Sequence, residues 1–305
     1  MTGYRELRES AAWLDLAGRG KIRMTGEDRA RLLHAMTTNH VQQLQPWQGC
    51  YAFFLTAQGR TLGDVSILCR DEDFLLDTEP ETRAKLCEHL DKFIIADDVT
   101  LEDLTDTLPT VAVEGPAAEE ALRKAGAPVP DAAYAGAPWG SSVVMRVSYT
   151  GGPGLFVFTP ERDIVIGALE RAGAVAADLE AANVVRLEHG KPRYGDDISE
   201  RFLAQETNQM HALHFNKGCY LGQEIVERVR SRAQIHRRLL PVHLDTDQPP
   251  ARGTKLQSGG KDAAEITSAA FSPALGKTVA LAYVRIDYKP GDVLSLGDIS
   301  ATVQG

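Results

Sequence analysis

The stretch from residue 110 to about 174 constrains the fold most tightly. Residues 110–113 form a short apolar run that reads as a strand, and residues 116–125, opened by Pro116, read as a helix. Residues 126–142 are rich in Ala, Gly and Pro and read as a loop. Two further apolar runs, 143–149 and 154–159, are joined by Gly151-Gly152-Pro153 as a hairpin, and a helix is expected over 161–172. The order β-α-β-β-α matches a split βαβ, ferredoxin-like unit, which requires a short closing strand near Ala174.

Flanking patterns extend this into an α+β chain. Upstream, a strand at 20–24 leads through Thr25-Gly26-Glu27-Asp28 into a helix with Ala30, Leu32, Leu33 and Met36 at helical spacing. A hairpin follows, with strands at 51–56 and 62–69 turning at 57–60. A third strand at 74–77 runs into Thr78-Glu79-Pro80-Glu81, a capping signal for a helix that buries Leu86, Cys87 and Leu90, and a further strand is expected near 99–104. Residues 178–188 read as a helix ended by Gly190 and Pro192. The turn-rich stretch 245–262 suggests entry into an all-β tail, with strands at 265–268, 279–285, 293–296 and 299–303, as in a small barrel. The expected organisation is an α+β region over 1–238 in two subdomains, the second ferredoxin-like at about 110–178, followed by a C-terminal β-barrel over 239–305.

Composition narrows the partners. Acidic residues outnumber basic ones, 42 to 33, for a formal charge of −9, which argues against direct nucleic-acid binding. No apolar run approaches the roughly 18 residues of a membrane helix, and residues 1–20 lack the apolar core of a secretory signal, so no membrane association and a cytoplasmic location are expected. The four cysteines, Cys50, Cys69, Cys87 and Cys219, form no C-x-x-C pair, which argues against a disulfide framework or a self-contained zinc or cluster site. Cys50, Cys69 and Cys87 sit among apolar residues and read as core. His211 and His214 have no carboxylate or cysteine partners at ligand spacing, so no metal site is expected there.

The segment Lys217-Gly218-Cys219-Tyr220-Leu221-Gly222-Gln223-Glu224 concentrates the chemistry. Two glycines bracket a Cys–Tyr pair just before a helix carrying Ile225, Val226 and Val229. Cys219, beside Lys217 and near a helix start, stands where positive potential favours a reactive thiolate; it reads equally well as a small buried residue at a tight turn. Gln223 and Glu224 fall in the first turn of that helix. Arg228, Arg230, Arg232, His236, Arg237 and Arg238 then make the chain locally basic, either as a solvated helix face or as an attractor of acidic ligands.

This octapeptide resembles the K-G-C-[FY]-x-G-Q-E signature of the YgfZ-type folate-binding proteins, a branch of the superfamily that contains the glycine-cleavage T-protein, an aminomethyltransferase. Residues 20–29 resemble the superfamily's opening strand and helix. Val185-Arg186-Leu187-Glu188-His189-Gly190 with Tyr194-Gly195-Asp196-Asp197 resembles its R-L-E-x-G…Y-G-x-D segment, and residues 265–268, 271–277 and 280–284 resemble its C-terminal barrel. The resemblance implies the aminomethyltransferase folate-binding fold, a ring of subdomains around a central channel holding tetrahydrofolate or a one-carbon derivative. It implies that Glu188 forks to the pterin; Tyr194 and Tyr51 are candidates for lining the channel and read equally well as buried core tyrosines. The local basic charge of Lys217, Arg228 and their neighbours offers an attraction for the glutamate tail or an acidic partner.

Three functions follow from the resemblance. The first is an accessory protein supporting the maturation or repair of iron–sulfur client proteins, tRNA-modifying enzymes included, with Cys219 and Lys217 carrying thiol chemistry and Gln223 and Glu224 helping to hold the ligand. The second is a folate-dependent aminomethyl transferase. The family pattern for that activity implies an aspartate in the helix after the third strand, where this chain has Glu79 and Glu81 as the available acids. The third is a folate sensor without chemistry.

Overall fold

The structure, a computed structural model, describes residues 1–231 and 235–305, together with the backbone alone at Arg232. The chain opens with α1 (Tyr4–Glu9) and β1 (Ala12–Asp15), then β2 (Gly20–Thr25), α2 (Arg29–Met36), β3 (Gly49–Leu55), β4 (Thr61–Cys69), β5 (Phe74–Thr78), α3 (Arg83–Asp91) and β6 (Thr100–Asp103). A five-stranded sheet forms in the order β3-β4-β5-β2-β6. Its alternation decides two cores at once. Ala52 and Phe54 of β3 face the core made with Ile22, Leu33 and Leu76, while Tyr51, Phe53 and Leu55 face a second core shared with Leu187, Phe202 and Tyr283. A sheet covered on both faces reads as a continuous apolar run, as residues 51–55 do. The capping signal at Thr78 lies one turn early. α3 starts after Thr82, and the Thr78 hydroxyl instead donates to the Asp64 carbonyl at 2.6 Å.

The second unit comprises β7 (Thr110–Glu114), α4 (Ala118–Lys124), β8 (Gly136–Trp139), β9 (Ser142–Met145), β10 (Gly154–Phe158), α5 (Arg162–Arg171) and β11 (Val175–Ala176). Its sheet order, β11-β1-β7-β10-β9-β8, extends the expected ferredoxin-like unit in two ways. The closing strand β11 exists but pairs with β1, which inserts between it and β7. β1 fits there because Ala12 and Leu14 bury against Val185 and Phe156 while Trp13 packs against the opposite core. The expected loop also contains β8, which pairs with β9 across the Gly140 turn; Pro138 is tolerated because β8 is an edge strand.

A connecting helix, α6 (Leu179–Glu188), is capped by the Asp178 side chain, which accepts from the Ala181 N–H at 2.7 Å. It is followed by α7 (Gln223–Arg232) and by a barrel of β12 (Arg237–Leu244), β13 (Lys255–Ser258), β14 (Lys261–Ser272), β15 (Lys277–Arg285), β16 (Val293–Leu296) and β17 (Ile299–Val303). The barrel closes in the order β12-β15-β14-β13-β16-β17. It begins ahead of the turn-rich 245–262 stretch, which is internal to it. α6 packs on β14 and β15. Asp197 fastens the joint: it takes Arg186 at 2.7 Å and the Thr267 hydroxyl of β14 at 2.5 Å, and its carbonyl accepts from Tyr283 at 3.0 Å. Among the described residues, no helix is long and apolar enough to cross a membrane.

Candidate functional site

A cavity of about 490 Å³ lies where β3 and β4, the turn before β10, and the segment after α6 converge. Strand alternation turns Asp64 and Ser66 into it while Val65 and Ile67 fill the core behind. The Tyr51 hydroxyl, from the neighbouring strand β3, donates to Asp64 Oδ2 at 2.7 Å. One wall is aromatic. The His211 ring lies nearly parallel to Tyr51, at 5.2 Å and 26°, and Tyr134 lies at 18° to His211 and 20° to Tyr51. The Tyr134 hydroxyl lies 3.2 Å from His211 Nε2. Burial and the nearby Glu79 carboxylate push the Asp64 pKa up to about 6, against the opposing hydrogen bond from Tyr51.

The charged groups around Asp64 are mostly committed. Arg19 pairs with Asp77 and Glu79, and Arg193 with Glu79, Glu81 and Asp196. Lys21, buried beside Asp77 at 2.6 Å, has its pKa lowered to about 8 by burial against the pull of that carboxylate. The turn at 148–154 is held by Glu114, which accepts from the Ser148 and Thr150 hydroxyls and from the Tyr149 and Thr150 N–H groups. Gly151, at φ +83°, brings this turn so near that a Cβ there would lie 2.8 Å from Lys191 Cβ.

Of the ligand residues expected from the sequence, Tyr51 lines this cavity, and so do Glu79, one of the two acids weighed for a transferase, and His211. Glu188 does not. Its carboxylate, 6% exposed, pairs with Arg8 at 2.9 Å, accepts from Ser272 at 2.6 Å and is hydrogen-bonded by Tyr4. The expected fork to a pterin therefore meets a group already occupied in joining α1, α6 and β14. The Tyr194 hydroxyl is likewise spent, on the Leu62 carbonyl at 2.6 Å. Lys217 turns inward, where its ammonium donates to the carbonyls of His34, Thr37 and Asn39. Burial pushes its pKa down to about 7, against three acceptors that hold the proton. Cys219 is exposed and outside the cavity lining, which removes the buried-turn alternative.

Gln223 and Glu224 do open α7 as expected, with Gln223 Oε1 accepting from the Tyr220 N–H at 3.3 Å. Arg228 is exposed on α7; of the other basic residues, Arg230 lies over Phe215 and Arg237 pairs with Glu206 at 3.0 Å. The Arg232 side chain lies outside the described residues. His211 and His214 part company: His211 faces the cavity, while His214 packs edge-on against His40 at 5.1 Å. No three His, Cys, Asp or Glu side chains among the described residues are placed to hold a metal ion.

The residue that sequence reasoning missed is Asp64. The family pattern points to the helix after the third strand; the acid that lines this cavity from β4 stands inside the run Leu62-Gly-Asp-Val-Ser-Ile, where an acid between apolar residues is the available signal.

Residues 2–217 match the GCVT N-terminal domain and residues 237–299 the glycine cleavage T-protein C-terminal barrel domain. An aminomethyltransferase of Rubrobacter xylanophilus is 30% identical over 292 residues, covering 92% of this chain and 78% of the relative. One from Streptomyces coelicolor is 27% identical, covering 91% and 79%. The crystal structure of the glycine cleavage system aminomethyltransferase T from Bartonella henselae superposes with a TM-score of 0.90 at 21% identity, covering 99% of this chain and 87% of that one, a likeness of fold.

Proposed function

The chain belongs to the glycine-cleavage T-protein family, and from that membership we propose that it binds tetrahydrofolate or a one-carbon derivative in the cavity at Asp64. The observation that carries this reading is a carboxylate beside an aromatic wall. Tyr51, His211 and Tyr134 offer stacked faces to a flat heteroaromatic ring. Asp64, oriented by Tyr51, can accept hydrogen bonds from ring N–H and amino groups. Titration of the full chain with tetrahydrofolate tests it. Asp64→Asn, which keeps shape and loses the charge, is expected to weaken binding roughly 10- to 100-fold, the range of a hydrogen bond to a charged group. Glu188→Gln is expected to bind like the native chain. If Glu188→Gln weakened binding and Asp64→Asn did not, the ligand would belong at the α6–barrel joint instead.

Within the family, the octapeptide around Cys219 favours the YgfZ-type branch, a cytoplasmic accessory protein that supports iron–sulfur client enzymes. Exposure of Cys219 away from the cavity supports a thiol that meets a partner protein rather than the folate. Cys219→Ser is expected to retain folate binding and lose the cellular effect on client enzymes; a pure sensor would keep both. Asp64 supports a second reading, an aminomethyltransferase-like one-carbon transferase, because a carboxylate in the cavity can take a proton from a reacting amine. Folate-dependent release of ammonia from an aminomethyl carrier, abolished in Asp64→Asn, is the result that would rank the transferase first.

A further inference from the structure

Among the described residues, the cavity has one cation without a protein partner. Arg19, Arg146, Arg186 and Arg193 all line it, and each is ion-paired, to Asp77, Glu119, Asp197 and Glu79 respectively. Lys191 also lines it, and among the described residues its ammonium makes no ion pair and no hydrogen bond. It lies 5.7 Å from the centre of the Tyr51 ring, on the side chain that donates to Asp64. The Gly151 turn packs closely against the base of its side chain. Burial lowers its pKa, with the charges of Asp64 and Glu114 opposing. A half-buried ammonium facing a cavity without a protein acceptor is open to one that a ligand supplies.

We propose that Lys191 is a specificity-determining residue that donates a hydrogen bond to the oxygen of a formyl unit carried by the bound folate, so that the cavity selects formyl over methyl derivatives. The inference rests on the folate reading above and deepens it. If Asp64 holds the amine end of the reduced ring, a one-carbon unit on that amine falls on the Tyr51–Lys191 side of the cavity. A formyl oxygen gives the ammonium its missing acceptor. A methyl group of similar size gives it none and displaces the water that would otherwise solvate it. Specificity then comes chiefly from the ligand that leaves a half-buried charge unsatisfied.

The full chain is titrated with tetrahydrofolate, 5-formyltetrahydrofolate and 5-methyltetrahydrofolate, native and as Lys191→Met, with Lys191→Gln as a second, polar replacement. The native chain is expected to bind the formyl derivative about 10-fold or more tightly than the methyl one, the range of one charged hydrogen bond. Lys191→Met is expected to bring that ratio to about 1, and Lys191→Gln, which can still donate weakly, to an intermediate value. Equal loss of affinity for all three folates in Lys191→Met would assign the ammonium to the ring carbonyl or the glutamate tail and overturn the proposal. So would an unchanged formyl-to-methyl ratio. Binding of tetrahydrofolate with no formyl preference in the native chain would overturn the inference while leaving the folate reading standing, and failure of every folate to bind would remove both.

Discussion

Asp64 is where the demands of folding and of the proposed ligand recognition oppose each other. Its pKa is raised from 3.8 to about 6, first by burial and then by Glu79. The folded chain therefore holds a proton on this group that the unfolded chain has already released between those two values, and stability falls as pH rises through that window. A shift of this size corresponds to at most ~3 kcal/mol, and water reaching the cavity reduces it to about 1–2 kcal/mol. Asp64→Asn is thus expected to melt several degrees higher than the native chain at pH 8, with the gain vanishing below pH 4, while its folate affinity drops. Thermal melts across that range check the sign; a variant destabilised at pH 8 would mean that the hydrogen bond from Tyr51 outweighs desolvation. The same residue marks the limit of sequence reading. Tyr51 is reached through the family resemblance, but nothing in the linear pattern says that residue 64 faces an opening that a second sheet and a later segment complete.

At the scale of elements, residues chosen for chemistry turn out to hold pieces of backbone together. Lys217 is the clearest case. α2 ends at Met36, and its last carbonyls have no helical N–H to accept from. The Lys217 ammonium supplies three donors at that point, at 2.5 Å to His34 and 2.8 Å to Asn39 with Thr37 between, so the octapeptide loop is bolted to the end of a helix from the first unit. Lys217→Met keeps most of the stem and leaves three carbonyls short of a donor. It is expected to cost about 2–4 kcal/mol of stability, as for other buried charge-assisted hydrogen bonds, with a corresponding fall in denaturant midpoint; a change under about 0.5 kcal/mol would show that water replaces the ammonium there. Legibility follows the same division. Strands with strong apolar runs, such as residues 51–55 and 279–285, read directly, and β16 and β17 fall at 293–296 and 299–303 as expected. β1 and β8, four residues each, were missed because their place comes from long-range pairing rather than from a local pattern.

Across the whole molecule, the cavity at Asp64 and the exposed thiol are separate features of one framework, and this separation is the property least visible in a linear sequence. Cys219 follows Glu188 by only 31 residues, and the sequence alone invites reading a carboxylate and a thiol into one opening. In the folded chain Glu188 is used at the α1–α6–barrel joint, Lys217 at the end of α2, and Cys219 is left at the surface. Cys50, Cys69 and Cys87 are all half-buried with thiol pKa values raised by burial, that of Cys50 to about 12, so they remain protonated and slow to react near neutral pH. Mass spectrometry after brief alkylation at pH 8 is therefore expected to find one label on the native chain, at Cys219, and four after denaturation. Saturating tetrahydrofolate is expected to leave the Cys219 rate within about twofold, since a ligand at Asp64 does not cover it; rates for an exposed thiol follow its access and its thiolate fraction. Protection of Cys219 by folate would mean that the two sites share a ligand, and the thiol would then belong to the chemistry of the cavity rather than to a partner docking from outside.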